Sequence, residues 1–115
     1  MNSKIIVLEK LSKILEKKKT EGKKIVLCHG VFDLLHFGHI NHFREAKKNN
    51  HILVVSITPD KYVNKGPGRP AFNEKIRAMS LSELNIVDFV TINNSHSAVS
   101  VIKKLKPNIF CKGKE

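Results

Sequence analysis

Four short runs in this chain are almost continuously apolar, and the stretches between them carry helical spacing. The runs are Lys24-Ile25-Val26-Leu27-Cys28, His51 to Ile57, Asp88-Phe89-Val90-Thr91-Ile92 and Asn108-Ile109-Phe110-Cys111. A strand that is apolar on both faces must be covered on both faces, which is the condition of a parallel sheet between helical layers. Ile5, Leu8, Leu11, Ile14 and Leu15 follow helical spacing, and Gly22 ends that first helix. A second helix is predicted from Gly38 to Lys48, and a third from the cap residue Asn73 to Leu84. The fourth is capped by Ser95 or Ser97 and carries Val99, Ile102 and Leu105 on one face. Thr58-Pro59-Asp60 reads as a short helical turn with Thr58 as its cap. The pattern predicts one α/β domain, a parallel sheet with helices on both faces.

The 115 residues leave room for one domain, and a hydrophobic share of 41% supports a real core. Basic residues number 21 against 10 acidic ones, a net charge of +11, which favours an anionic partner. No apolar run approaches the ~20 residues of a membrane helix. Ile5-Ile6-Val7-Leu8 is interrupted at once by Glu9 and Lys10, unlike a signal peptide. Two cysteines, Cys28 and Cys111, each close an apolar run, which suits a reduced, cytoplasmic protein better than a disulfide scaffold. A nucleic-acid-binding module would also be basic. Here 8 lysines lie between Lys4 and Lys24 and 5 between Lys103 and Lys114, while the 6 Phe and 1 Tyr mostly sit in apolar contexts. That distribution describes solvated helix faces rather than stacking platforms.

In an open parallel sheet, ligands bind beyond the carboxyl ends of the strands. The segment after the first strand reads His29-Gly30-Val31-Phe32-Asp33-Leu34-Leu35-His36-Phe37-Gly38-His39. Its core, His36-x-Gly38-His39, sits where strand passes into helix, so two imidazoles three residues apart converge on one target. A helix N-terminus adds unpaired N–H groups and a positive dipole end, which favour phosphate. Gly30 and Gly38 lack a Cβ and let a phosphate approach the backbone. Two imidazoles with backbone donors suit the charge that develops on an α-phosphate during in-line displacement. Two other readings remain open on these residues alone. The histidines could merely cap the helix, or His29, His36, His39 and His42 could gather a zinc ion. The buried strand before the motif and the helix after it favour phosphate chemistry.

Lys65-Gly66-Pro67-Gly68-Arg69-Pro70 holds two glycines and two prolines in six residues and cannot be regular structure. A lysine in such a loop can swing onto a ligand, or simply remain solvated. Arg77 lies among Ile76, Met79 and Leu81 and must find a partner, with Glu74, Glu83 and Asp88 as candidates.

The stretch from Gly30 to His39 resembles the signature of the cytidylyltransferase-like nucleotidyltransferases, which include glycerol-3-phosphate cytidylyltransferase. Lys65 to Pro70, Arg77, Val87 to Val90 and Lys106 to Gly113 are similar to the heptose-phosphate adenylyltransferase domain of that group. The resemblance runs from about Lys4 to Glu115. It implies a Rossmann-like three-layer fold, a homodimer, and Mg²⁺ as cofactor. The implied reaction moves CMP from CTP, or AMP from ATP, onto a phosphorylated sugar or alditol and releases pyrophosphate. Surface polysaccharide or lipopolysaccharide precursors would be its products. The resemblance assigns triphosphate binding and transition-state stabilisation to His36 and His39, and the backbone floor of the nucleotide site to Gly30, Val31 and Phe32. Asp33 would orient the loop or touch the acceptor, Lys65 would reach the phosphates, and Arg77 would face the site from its helix. Related enzymes carry a further Ser/Thr motif for the β- and γ-phosphates. Residues 1–115 are therefore expected to be a single nucleotidyltransferase domain lacking its C-terminal segment. A catalytically inactive nucleotide-binding relic is the alternative that such a lack leaves open. A class I aminoacyl-tRNA synthetase relative, which shares the short His-x-Gly-His helix start, would be far longer.

Overall fold

The structure, a computed structural model, describes residues 3–63, 66, 68, 70–95 and 97–112. Helix α1 (Leu8–Thr20) leads into strand β1 (Lys24–Gly30), and α2 (Phe37–Ala46) leads into β2 (His51–Ile57). A 3-10 turn at Asp60–Tyr62, α3 (Glu74–Ser82), β3 (Phe89–Ile92), α4 (Val99–Leu105) and β4 (Ile109–Lys112) follow. The strands form one sheet in the order β3-β2-β1-β4. All three pairings are parallel. The α/β architecture expected from the apolar runs, and the Rossmann-like form that the family resemblance implies, are the ones observed.

Alternation along the strands sends successive side chains into two cores. Val26, Cys28, Leu53, Val55 and Val90 point to one face, where they meet Phe43 of α2 with Ala78 and Leu81 of α3. Ile25, Leu27 and Val54 point to the other, where Leu11 and Leu15 of α1 and Val101 and Leu105 of α4 cover them. The chain moves outward from β1 through β2 to β3, then crosses back to β4 on the far side of β1. The topological switch point therefore falls between β1 and β4, and the loop leaving Gly30 opens beside it. α1 ends before Gly22, whose φ of +89° is the left-handed conformation that stops a helix without a Cβ penalty.

The structure departs from the sequence reading at several ends, each for a local reason. Ile5 is not on α1. It bridges Val90 in parallel, with Ile6 N–H donating to the Val90 carbonyl at 2.9 Å, so residues 4–6 line the free edge of β3. β-Branched Ile5, Ile6 and Val7 suit that extended course. The turn at Asp60 is capped by Pro59, not Thr58, and without a side-chain hydrogen bond. α4 starts at Val99 with Ala98 as its N-cap, although the Ser97 hydroxyl accepts from Val99 N–H at 3.3 Å. Val101 and Leu105 form its buried face, and Val99 is exposed. β4 is a sheet edge rather than a covered strand, with Ile109 and Phe110 both exposed. Asp88 stands just before β3, where its Oδ2 accepts from Leu53 N–H and Lys47 Nζ, each at 2.8 Å.

Cys28 and Cys111 face each other across β1 and β4, and both are free thiols. Burial, and after it the neighbouring thiol, push the Cys28 pKa from 9.0 up to about 12. The folded state thus keeps a proton that the unfolded chain releases. The stabilisation is complete below pH 9 and is lost as pH rises towards 12. Urea unfolding of the native chain and of Cys28→Ala across this window is expected to show a steeper alkaline decline in the native chain. In the core, Leu15→Ala removes a side chain with no exposure between α1 and the sheet. It is expected to lower unfolding free energy by about 2–5 kcal/mol in the same measurement.

Candidate active site

β1 delivers the chain to the carboxyl edge of the sheet, and Phe32 turns it there. Its φ of +51° lies in the left-handed region, costly for an aromatic residue, and its side chain is almost wholly buried. The ring packs on Phe43 at 5.5 Å between centroids and meets the His39 ring edge-on at 5.4 Å. Core burial thus holds a backbone turn that the residue would not choose in isolation. Phe32 contributes to the site as an anchored wall beneath His39.

His36 is the N-cap of α2. Its Nδ1 accepts from Gly38 N–H at 3.0 Å, while His39 Nδ1 accepts from His36 N–H at 3.3 Å. This is a capping box built from two imidazoles, and the rings lie 4.1 Å apart. The capping role and the phosphate role are compatible. With Nδ1 of each neutral ring accepting from backbone, the proton resides on Nε2, so each ring presents an Nε2–H donor. A Cβ at Gly38 would lie 2.7 Å from His36 Cε1, so a larger residue there would push the His36 ring out of its capping position. A cavity of about 330 Å³ opens on this cluster, lined by Phe32, His36, Gly38, His39, Asn41, His42 and Glu45.

The zinc reading does not assemble. His29 shares a face with Ile25 and Leu27, opposite to the side of α2, and its Nδ1 lies 2.6 Å from Ser56 Oγ. No group of three His, Cys, Asp or Glu side chains among the described residues is placed to hold a metal.

Asp33 is the link between this loop and the next. Its Oδ2 accepts from Ala71 N–H at 2.7 Å and its Oδ1 from Phe72 N–H at 2.9 Å. The chain leaving the Gly/Pro segment is thereby stapled to the histidine loop. Gly30 closes β1, and its carbonyl accepts from Thr58 N–H at 3.0 Å.

Arg77 corrects the expectation that it faces the ligand. It is 1% exposed, and its guanidinium is directed inward. Nε donates to the Phe72 carbonyl at 3.0 Å, and Nη1 donates to the carbonyls of Val31 and Thr58 at 2.9 and 2.8 Å. Nη2 pairs with Asp60 Oδ1 at 2.7 Å. None of the three anticipated partners is used. Glu74 instead accepts from Asp60 N–H, and Asp88 pairs with Lys47. Val31 thus serves the site through a carbonyl turned into the protein. A separation of 17 or 19 residues does not announce Asp60 and Thr58 as partners of Arg77. A signal was present in Asp60 itself, an acid where the chain leaves a buried strand. Lys65 lies outside the described residues, as does Arg69.

With this geometry, residues 27–115 match the family described as cytidylyltransferase-like. The chain belongs to that family. It is 40% identical over 113 residues to the Bifunctional protein HldE of Desulfatibacillum aliphaticivorans, covering 96% of this chain and 23% of that one. It is 41% identical over 112 residues to the protein of the same name from Campylobacter fetus subsp. fetus, covering 96% and 24%. The chain therefore spans about a quarter of the length of these relatives. The crystal structure of the lipopolysaccharide core biosynthesis protein from Thermoplasma volcanium GSS1 superposes with a TM-score of 0.68 at 33% identity, over 76% of this chain and 71% of that one. The family's histidine loop, as it stands in this member, is held by Asp33 and Arg77. Arg77→Met would leave the Val31 and Thr58 carbonyls and the Asp60 carboxylate without their donor, and is expected to cost about 3–5 kcal/mol in denaturant unfolding. Arg77→Lys is not expected to restore stability, since one ammonium cannot reproduce the fork.

Proposed function

We propose that this domain transfers a nucleoside monophosphate from CTP or ATP to a phosphorylated sugar or alditol and releases pyrophosphate. The observation that carries this reading is the imidazole capping box at the start of α2, which presents two Nε2–H donors at a helix N-terminus. The kinship with HldE proteins and with a lipopolysaccharide core biosynthesis protein supports a place in surface polysaccharide or lipopolysaccharide precursor synthesis. Nucleoside triphosphates are cytoplasmic metabolites, and that is the compartment proposed for it. No helix among the described residues is long and apolar enough to cross a membrane.

In the proposed mechanism the acceptor's phosphate oxygen attacks the α-phosphorus in line with the departing pyrophosphate. An ionised phosphate needs no general base, so the site needs only donors and orientation. His36 and His39 would donate to the non-bridging and bridging oxygens on which charge develops. The backbone from Gly30 to Phe32 would floor the nucleotide, Lys65 would reach the phosphates, and Arg77 would act through the loops that it holds. A second cavity of about 590 Å³ at the carboxyl ends of β2 and β3, lined among others by Asp60, Lys61, Glu74 and Asn94, offers polar room for an acceptor. Mg²⁺ would arrive on the triphosphate, whose oxygens would supply most of its ligands, and would offset charge on the leaving group. A homodimer is proposed from the resemblance to the family.

Calorimetric titration with CTP, ATP and GTP in Mg²⁺ is expected to show one preferred nucleotide and loss of binding in His36→Ala. No binding of any of the three would refute the proposal. In a pyrophosphate-release assay, His39→Ala is expected to lower turnover by about two to three powers of ten with modest loss of binding. A rate within about twofold of the native chain would remove His39 from its role.

A further inference from the structure

Three histidines, not two, line the cavity at the start of α2. His42 follows His39 by three residues, the spacing that puts both on one side of the helix and advances about 4.5 Å along it. Its Nε2 is shut off from solvent and has no hydrogen-bond partner among the described residues. A buried polar nitrogen without a partner is a standing cost to the free protein, and such groups call for an explanation. Among the described residues, His42 has none. The apolar neighbour it meets is Phe43, at 6.3 Å between ring centroids, a contact that leucine or phenylalanine would make as well.

We propose that His42 is a third phosphate-binding imidazole, which takes the distal phosphates of the bound triphosphate and the pyrophosphate that leaves. The proposal rests on the nucleotidyltransfer reading and names a contact for the leaving group within that site. The chemistry of the cavity favours an anion: three imidazoles, the Asn41 amide and the backbone of Gly38 supply donors. Its one carboxylate, Glu45, stands a further turn away from the loop. His36 and His39 crown the N-terminus of α2, where the reacting α-phosphate is best placed by the helix dipole. A polyphosphate bound there extends by one more group along the same wall, and His42 lies one step further along it. A turn of the His42 ring about its Cβ–Cγ bond brings Nε2 out of its closed position into the cavity that the residue lines, where it gains the partner that it lacks among the described residues.

The test uses the chain itself, with inorganic pyrophosphate, the preferred nucleoside triphosphate and its monophosphate as probes in calorimetry. His42→Leu is expected to weaken pyrophosphate and triphosphate binding by about tenfold or more, and monophosphate binding by less than about twofold. Its melting temperature is expected to hold or rise, because the orphaned nitrogen is gone. His42→Gln, whose amide can donate, is expected to retain more pyrophosphate binding than leucine does. Unchanged pyrophosphate affinity in His42→Leu overturns the proposal. So does an equal loss for the monophosphate, which would place the contact on the nucleoside, and so does a fall in melting temperature in both variants, which would make the residue structural. A native chain that binds no probe, with His36→Ala no different, refutes the nucleotidyltransfer reading itself and the proposal with it.

Discussion

The buried guanidinium of Arg77 ties together three segments that are far apart in sequence. It holds the Val31 carbonyl of the histidine loop, the Thr58 carbonyl at the end of β2, and the Phe72 carbonyl before α3. Burying a cation is costly unless nearly every N–H is used, and here the carbonyls and the Asp60 carboxylate use four of the five. A fork of planar donors can meet acceptors from several directions at once. The loops at the carboxyl edge of the sheet therefore keep their places without covering one another with apolar surface, and the edge stays open for a polar ligand.

Asp33 acts as the counterpart of Arg77. The arginine gathers carbonyls, while the aspartate gathers the N–H groups of Ala71 and Phe72. Between them the segment that re-enters α3 is held at both its donors and its acceptors. The same division recurs at α2, where His36 and His39 satisfy N–H groups of the helix start and of each other. A helix whose orphan donors are partly capped by imidazoles is prepared for an anion, because the rings that cap it also present donors to the outside. The strain of Phe32 belongs to this economy too. Its left-handed backbone is tolerated because its ring is locked against Phe43 and beneath His39.

The layered fold was legible in the sequence because the strands carry their apolar residues without a break, and burial on both faces leaves few alternatives. The loop from Gly30 to His39 was legible because glycine, aspartate and histidine stood at positions where a strand passes into a helix. The departures from the sequence pattern are local. Ile5 kept helical spacing with Leu8 and Leu11, yet the free edge of β3 offered Ile6 and Lys4 backbone partners that a helix start could not match. Val99 fell in phase with Ile102, but α4 begins too late to bury it. Arg77 has Glu74 at helical spacing, and Glu83 and Asp88 further along the chain, yet pairs with none of the three. Its partners were mostly main-chain carbonyls, which leave no trace in side-chain chemistry.

The amino-acid sequence by itself determined the alternation of strands and helices, and the position of the histidine loop between β1 and α2. Those features depend on periodicity, turn chemistry and helix capping, all of which act over a few residues. Only the tertiary structure decided that Arg77 and Asp33 serve as struts, that His29 turns away towards Ser56, and that His42 has a buried nitrogen with no partner among the described residues. Each of these depends on which groups the sheet order and the crossing from β3 back to β4 bring within hydrogen-bond reach. Distances of that kind are set by the packed chain as a whole, not by the neighbours of a residue along it.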